Sequence, residues 1–284
     1  MDLYGGHDMP FLIAVLIIIA LYVFLVLPGH PSEEAKAPFV GRTFAHRGLY
    51  DNDRGVPENS LPAFKAAMDA GYGCELDVQF TKDKKLIVFH DNDYKRACGV
   101  DKAVWELTFE EARQLTLFGT DERIPTFREV LDAVDGQNPL IVEIKAEKLS
   151  MDWYAPLCEA VAAELKDYKG EWCLESFHPL VVRWAWKNIP GITRGLLVGG
   201  PAKKGEELAF IKNTIAHLLV DFLCRPQFIA YDHRDRNLAL RIVKKLGAFS
   251  VMWTVDNEKD HSILEKEEDT IIFEHYLPKR YLDK

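Results

Sequence analysis

Gly73-Cys74-Glu75-Leu76-Asp77-Val78-Gln79-Phe80 is the stretch whose reading decides the fold. It is a short, mostly apolar run bounded by turn signals, which predicts a buried β-strand. Before it, Asn59-Ser60-Leu61-Pro62 reads as a helix start, Leu61, Phe64 and Met68 mark the helix, and Gly71 stops it. After it, the polar turn Thr81–Lys85 leads into a second short strand at Leu86–His90. Strand and helix therefore alternate around this point, and the alternation extends in both directions. Upstream, Val40–Ala45 reads as a strand. Downstream, Phe127, Val130, Leu131 and Val134 form one helical face, Leu140–Lys145 a strand, and Leu157, Val161 and Leu165 the next helix. Strands at Glu171–Phe177 and Thr193–Val198 follow, with helices through Val181–Trp186 and Leu208–Leu219. A strand within Asp221–Tyr231, a helix from Asn237 to Leu246, a strand at Phe249–Asp256, a charged helix near Asn257–Glu268 and a strand at Thr270–His275 close the series. About eight such units predict a (β/α)8 TIM barrel with a parallel sheet. An open doubly wound sheet is the alternative, but it usually carries a GxGxxG turn, and this chain has none.

One segment stands apart. Phe11–Leu27 is seventeen consecutive apolar residues between Pro10 and Pro28, about 26 Å as a helix, enough for a thin bilayer. A cleaved signal peptide would want a basic start, and Met1–Pro10 has no Lys or Arg. A buried core helix would want one polar face, and there is none. The reading is a single-pass membrane anchor with a short tether over residues 1–37, followed by one catalytic domain over 38–284. The acidic N-terminal flank, with Lys36 and Arg42 after the span, places the domain on the cytoplasmic side. Five cysteines without a CxxC pair offer no disulfide framework. The net charge is −9, and past residue 37 the chain keeps 40 acidic against 34 basic residues without a basic stripe, so nucleic acid is not an expected partner.

Barrel enzymes collect reactive groups at the C-terminal ends of their strands. Here those ends read Ala45-His46-Arg47-Gly48, Glu75-Leu76-Asp77, His90-Asp91 and Glu143-Ile144-Lys145. Glu75 and Asp77 share a strand face, as do Glu143 and Lys145. Three carboxylates converging in a barrel repel unless a cation neutralises them, and an all-oxygen set suits Mg2+ or Ca2+. Arg47 and Lys145 can then meet an anionic ligand, and His46 and His90 can exchange protons. Together these groups describe phosphoryl-transfer chemistry. A single polar strand end is usually structural, but joint occurrence on four early strands is not expected by chance. His178, His217, His233, His261 and His275 lie outside any motif and read as structural or exposed.

The ordered motifs Ala45–Gly48, Pro57-Glu58-Asn59-Ser60, Glu75–Val78, His90-Asp91, Ile124-Pro125-Thr126-Phe127 and Val142–Lys145 resemble those of the glycerophosphodiester phosphodiesterase family, with weaker echoes in Glu175-Ser176-Phe177 and Trp253–Asp256. The resemblance covers about residues 40–284. It implies a barrel that hydrolyses glycerophosphodiesters to sn-glycerol 3-phosphate and an alcohol, using a divalent cation. His46 and His90 then correspond to the acid/base pair, and Glu75, Asp77 and Glu143 to the metal ligands. Arg47 and Lys145 correspond to the phosphate-facing cations and Trp253 to an aromatic wall beside the glycerol. Glu58 and Asn59 hold the first loop, with Glu58 close to the metal. Water or a glycerol hydroxyl attacks phosphorus, and the second histidine protonates the leaving oxygen. Lysophospholipase D or phospholipase C-type cleavage of a lipid such as a lysophospholipid is the neighbouring enzymatic reading. A catalytically inactive, membrane-tethered binding module is the reading from a different class. The last strand departs from the family pattern: Phe273-Glu274-His275 stands where the family carries a Thr-Asp-containing run, so the rim near His46 is expected to differ.

Overall fold

A computed structural model of the protein describes residues 8–146, 150–202 and 209–278. Eight parallel strands close into a barrel: β1 (Thr43–Ala45), β2 (Gly73–Phe80), β4 (Leu140–Ile144), β5 (Trp172–Ser176), β6 (Arg194–Val198), β7 (Phe228–Asp232), β8 (Phe249–Val255) and β9 (Thr270–Phe273). β1 pairs with both β2 and β9, which closes the ring. β3 (Leu86–Val88) is the exception: it folds back antiparallel onto β2 as a hairpin and takes no part in closure.

Helices cover the outside, and their starts are those the capping residues dictate. Ser60 caps Leu61–Asp69, with Pro62 in its first turn. Thr126 and Glu129 form a capping box at the head of Phe127–Val134, whose buried face is Phe127, Val130, Leu131 and Val134. The expected strand within Asp221–Tyr231 begins only at Phe228; Asp221–Cys224 is one helical turn, because Arg225 turns left-handed and ends it. Of the expected helix Leu208–Leu219, Ala209–Ala216 is helical, and Leu208 lies outside the described residues.

Period-two alternation sorts the strand residues. One set faces the helices. The other, including Phe44, Ile141, Cys173, Leu197, Phe228, Ala230, Phe249, Val251 and Ile272, fills the barrel. Phe39 joins that inner cluster from below, its ring stacked on Phe44 at 6.2 Å.

The helix Asp8–Val26 precedes all this, and Met9–Val26 is long and apolar enough to cross a membrane. Its last turn packs on the barrel through buried Val26 and a Phe24–Phe222 ring contact at 5.6 Å. The stretch after it lies against the barrel too. Arg225 Nη1 donates to the Leu27 carbonyl (2.6 Å), Gly29 N–H to Pro226 (2.9 Å), and Thr193 Oγ1 to Ala35 (2.9 Å).

Candidate active site

Following the inner set two residues beyond its apolar layer reaches the C-terminal rim. Phe44 leads to His46, Ile141 to Glu143 and then Lys145, Cys173 to Glu175 and then Phe177, Val251 to Trp253, and Ile272 to Glu274. The alternation that packs the core therefore also delivers the polar groups to one end. Asp77 pairs with Glu143 and Glu143 with Glu175, a row of carboxylates across three neighbouring strands, with Glu75 one layer below Asp77 on the same face.

Glu75, Asp77 and Glu143 each present one carboxylate oxygen within 4.8 Å of the other two, and all three are buried. Burial and the neighbouring charges of Asp77, Glu143 and Glu175 push the Glu75 carboxyl well above the usual range. Asp77 goes the other way. Burial would raise it, but Lys145, His90 and Arg47, with the Asn59 amide, outweigh burial and hold it well below that range. Asp77 Oδ1 is buried and accepts no hydrogen bond among the described residues, with Lys145 Nζ 3.4 Å away. Converging oxygens, mutual repulsion and an unsatisfied acceptor fit a hard divalent cation.

The two motif histidines both line the cleft, which has a volume of about 420 Å3. Each has a carboxylate behind it. His46 Nδ1 donates to Glu274 Oε2 at 2.7 Å, so Nε2 is the acceptor facing the cleft, 3.9 Å from Glu75 Oε2. Burial lowers the His46 pKa more than Glu274 raises it, so the ring is neutral near pH 7. The Glu274 carboxyl, in spite of burial, falls to about 2 because it accepts from His46 and from Tyr50 Oη (2.9 Å). His90 Nδ1 meets Asp91 Oδ1 at 2.8 Å. Asp91 is gripped in turn by Arg96, whose Nε donates to Oδ2 at 2.7 Å.

Arg47 is held rather than free. Its backbone is left-handed (φ 55°), its N–H donates to Glu75 Oε2 (3.0 Å), and its Nη1 donates to Glu58 Oε1 (2.7 Å). Glu58 stands outside the three-carboxylate set, because Arg47 and Arg96 both claim its oxygens. Asn59 donates to Asp77 Oδ2 at 2.8 Å and fixes that carboxylate. Lys145 Nζ lies 3.2 Å from Glu143 Oε1. The Trp253 ring meets Phe177 edge-on at 5.6 Å in the cleft wall, and its buried Nε1–H has no hydrogen-bond partner among the described residues.

The structure thus brings the candidate site residues to one rim and adds several to which the sequence reading assigned no role. Glu274, Tyr50, Arg96 and Glu175 belong to the same constellation, and His275, exposed as expected, also lines the cleft, its ring edge-on to Tyr50 at 5.5 Å. Glu274 and His275 sit in the very stretch where the last strand departs from the family pattern, which was the available signal.

Residues 46–275 match the model of the glycerophosphoryl diester phosphodiesterase family. The chain is 36% identical over 163 residues to a glycerophosphodiester phosphodiesterase of Caldanaerobacter subterraneus, covering 54% of this chain and 65% of that protein. It is 29% identical over 167 residues to lysophospholipase D GDPD1 of Rattus norvegicus, covering 54% and 50%. The chain thus spans about half to two thirds of these relatives' lengths. Its fold is like that of an Oleispira antarctica phosphodiesterase solved with the product sn-glycerol-3-phosphate (TM-score 0.67, 20% identity, 82% of this chain and 93% of that one). It is also like that of the Thermotoga maritima glycerophosphodiester phosphodiesterase (TM-score 0.60, 26% identity, 81% and 93%). With the family match spanning all the barrel strands but β1, the chain belongs to the glycerophosphoryl diester phosphodiesterase family.

Proposed function

We propose that this protein is a metal-dependent hydrolase of glycerophosphodiesters, releasing sn-glycerol 3-phosphate and an alcohol, and that the helix Asp8–Val26 tethers it to a bilayer. The observation that carries this reading is one cleft holding two carboxylate-backed histidines beside a three-carboxylate cluster and two cations.

Glu75, Asp77 and Glu143 would hold the divalent cation, Mg2+ or Ca2+, which supplies charge neutralisation for the phosphate when bound. Arg47 and Lys145 orient the phosphate; Glu58 and Asn59 fix the loop that presents Arg47. Neutral His46 accepts at Nε2 the proton of the attacking water or glycerol hydroxyl, and Glu274 stabilises the imidazolium that forms. The bond from phosphorus to the alcohol oxygen breaks as the new one forms, and His90 donates the proton that the leaving oxygen takes up; where the glycerol hydroxyl attacks, water then opens the resulting cyclic phosphate to sn-glycerol 3-phosphate. Trp253 and Phe177 wall the glycerol side.

The test is release of glycerol 3-phosphate from glycerophosphocholine and glycerophosphoethanolamine by the full chain, with Mg2+ or Ca2+ supplied. No release from either with either metal would sink the reading. For the tether, the acidic flank before the span and Lys36 and Arg42 after it favour a cytoplasmic barrel. Protease digestion of the barrel in sealed vesicles of known sidedness checks this, and a soluble chain shortened by cleavage after the apolar run would overturn the tether.

A further inference from the structure

The N-terminal apolar helix ends on a part of the barrel that gathers cations. Arg225, just past the turn Asp221–Cys224, donates from Nη1 to the Leu27 carbonyl at 2.6 Å and lies over the Phe24 ring at 5.6 Å. Arg183 reaches the same turn from the helix Pro179–Asn188, its Nη1 donating to the Leu223 carbonyl at 2.8 Å. Arg194, the first residue of β6, donates to the Arg225 carbonyl at 3.0 Å and lies over the Trp186 ring at 5.9 Å. Lys187 Nζ sits over that same ring at 4.7 Å.

These charges are not balanced from within. The three guanidinium groups bond to backbone carbonyls and to the Gln227 amide, and to no carboxylate among the described residues. Burial pushes the Arg194 guanidinium down to about 10, as befits a charge held without a counterion. Asp221, in the turn itself, does not neutralise them. It is fully buried, neither of its oxygens accepts a hydrogen bond among the described residues, and burial pushes its carboxyl well above the usual range. Glu33, on the stretch that follows the apolar helix, is taken by Lys36 at 2.9 Å. Arg183 and Lys187 are exposed.

A spanning helix places its ends at the level of the lipid headgroups, where an anionic leaflet offers the negative charge that this patch lacks. We infer that Arg183, Lys187 and Arg225, backed by Arg194, seat the foot of the barrel on anionic phospholipid headgroups beside the apolar helix. The inference rests on the reading of that helix as a tether and goes beyond it, because it sets which end of the barrel meets the bilayer. Arg194 opens β6 and Arg225 precedes β7, so the patch lies at the N-terminal ends of the strands. The catalytic rim lies at their other ends, a strand length of about 16 Å away. The cleft then opens away from the bilayer, toward diesters in solution.

The full chain is reconstituted in vesicles of phosphatidylcholine alone and of phosphatidylcholine with phosphatidylserine. Unfolding in the anionic vesicles is expected several degrees higher, a gain that fades as salt rises. Binding of dansyl-phosphatidylserine, read by energy transfer from the tryptophans, should weaken about fivefold for each of Arg183→Gln and Lys187→Gln. It should stay unchanged for Lys65→Gln, an exposed cation on the helix Leu61–Asp69. Equal binding by all three variants, or the same gain in Tm from inorganic phosphate added to neutral vesicles, overturns the seat. Alkaline washing tests the tether separately. A chain washed out of neutral vesicles that still binds anionic ones through Arg183 and Lys187 keeps the patch and removes the tether. A chain that stays in neutral vesicles and shows no preference for phosphatidylserine keeps the tether and removes the patch.

Discussion

His46 just past the first strand and Glu274 just past the last one are joined by a 2.7 Å hydrogen bond across the seam where the barrel closes. Ring closure itself thus sets the tautomer of His46. Glu274→Gln keeps an acceptor but removes the charge that stabilises the imidazolium. We expect kcat to fall about tenfold, less than the 10²–10⁴-fold for losing the imidazole in His46→Ala. The pH profile separates orientation from charge. Glu274 raises the His46 pKa, so without its charge that pKa falls further. The acid limb of kcat/KM, where His46 gains a proton, should then move to lower pH. A limb that stays in place would show that another group sets it.

The carboxylate cluster predicts opposite effects on stability and activity. The Glu75 pKa is raised in the folded chain, so without metal this carboxyl opposes folding increasingly as pH climbs above its unfolded value near 4.3. Chelation with EDTA should abolish turnover and lower Tm, more so at pH 8 than at pH 5. Glu75→Gln should lower activity yet raise the Tm of the metal-free chain, by about 2–4 °C for each kcal/mol of repulsion relieved. Calorimetry with and without chelator decides. A metal-free Tm unchanged by the substitution would mean that the cluster carries no unbalanced repulsion.

Arg96 touches no motif histidine, yet it clamps Asp91 behind His90 and Glu58 behind Arg47, with Nη1 2.9 Å from Glu58 Oε2. In the proposed mechanism it is a positioning residue, tying the carboxylate behind His90 to the one behind Arg47. Arg96→Ala should lower kcat about tenfold with a smaller change in KM. Arg96→Lys should not rescue it, because an ammonium cannot hold two carboxylates in fork geometry. Rescue by Lys would reduce the role of Arg96 to charge alone.

These cases show what was legible in the chain. The barrel was, because period-two alternation and helix capping are local and repeat eight times over. The motif carboxylates and histidines were, because two residues of spacing on a strand dictate a shared face. Glu274 was not, since its value lies in meeting His46, 228 residues away, across a closure that only the fold makes. Arg96 was not, since it belongs to the excursion between β3 and Phe127, where short helical turns follow no period.

Gly48 directs Arg47 from behind. Its φ is +79°, and a Cβ there would stand 2.7 Å from the carbonyl carbon of Ala63. Gly48→Ala must therefore shift the loop or the helix Leu61–Asp69 beneath it. Destabilisation of about 1–3 kcal/mol is expected, with KM for the phosphodiester rising because Arg47 moves with the loop. A Tm loss without any KM change would separate the loop from substrate binding.

The stretch between the apolar helix and β1 is the last place where sequence and structure part, and it bears on how the barrel should be cut free. Read as a tether, it invites a soluble domain beginning at Pro38. In the structure, Leu27, Gly29 and Ala35 each hydrogen-bond to the barrel, and Arg225, which bonds Leu27, also lies over Phe24. Phe39 alone survives the shorter cut as the plug beneath Phe44. A chain begun at Pro28 keeps two of those three bonds and one begun at Pro38 keeps none. At about 1 kcal/mol for each bond, the longer version should be about 2 kcal/mol more stable and melt several degrees higher. Urea unfolding of the two proteins side by side measures the difference, and equal midpoints would return residues 28–37 to the status of a free linker.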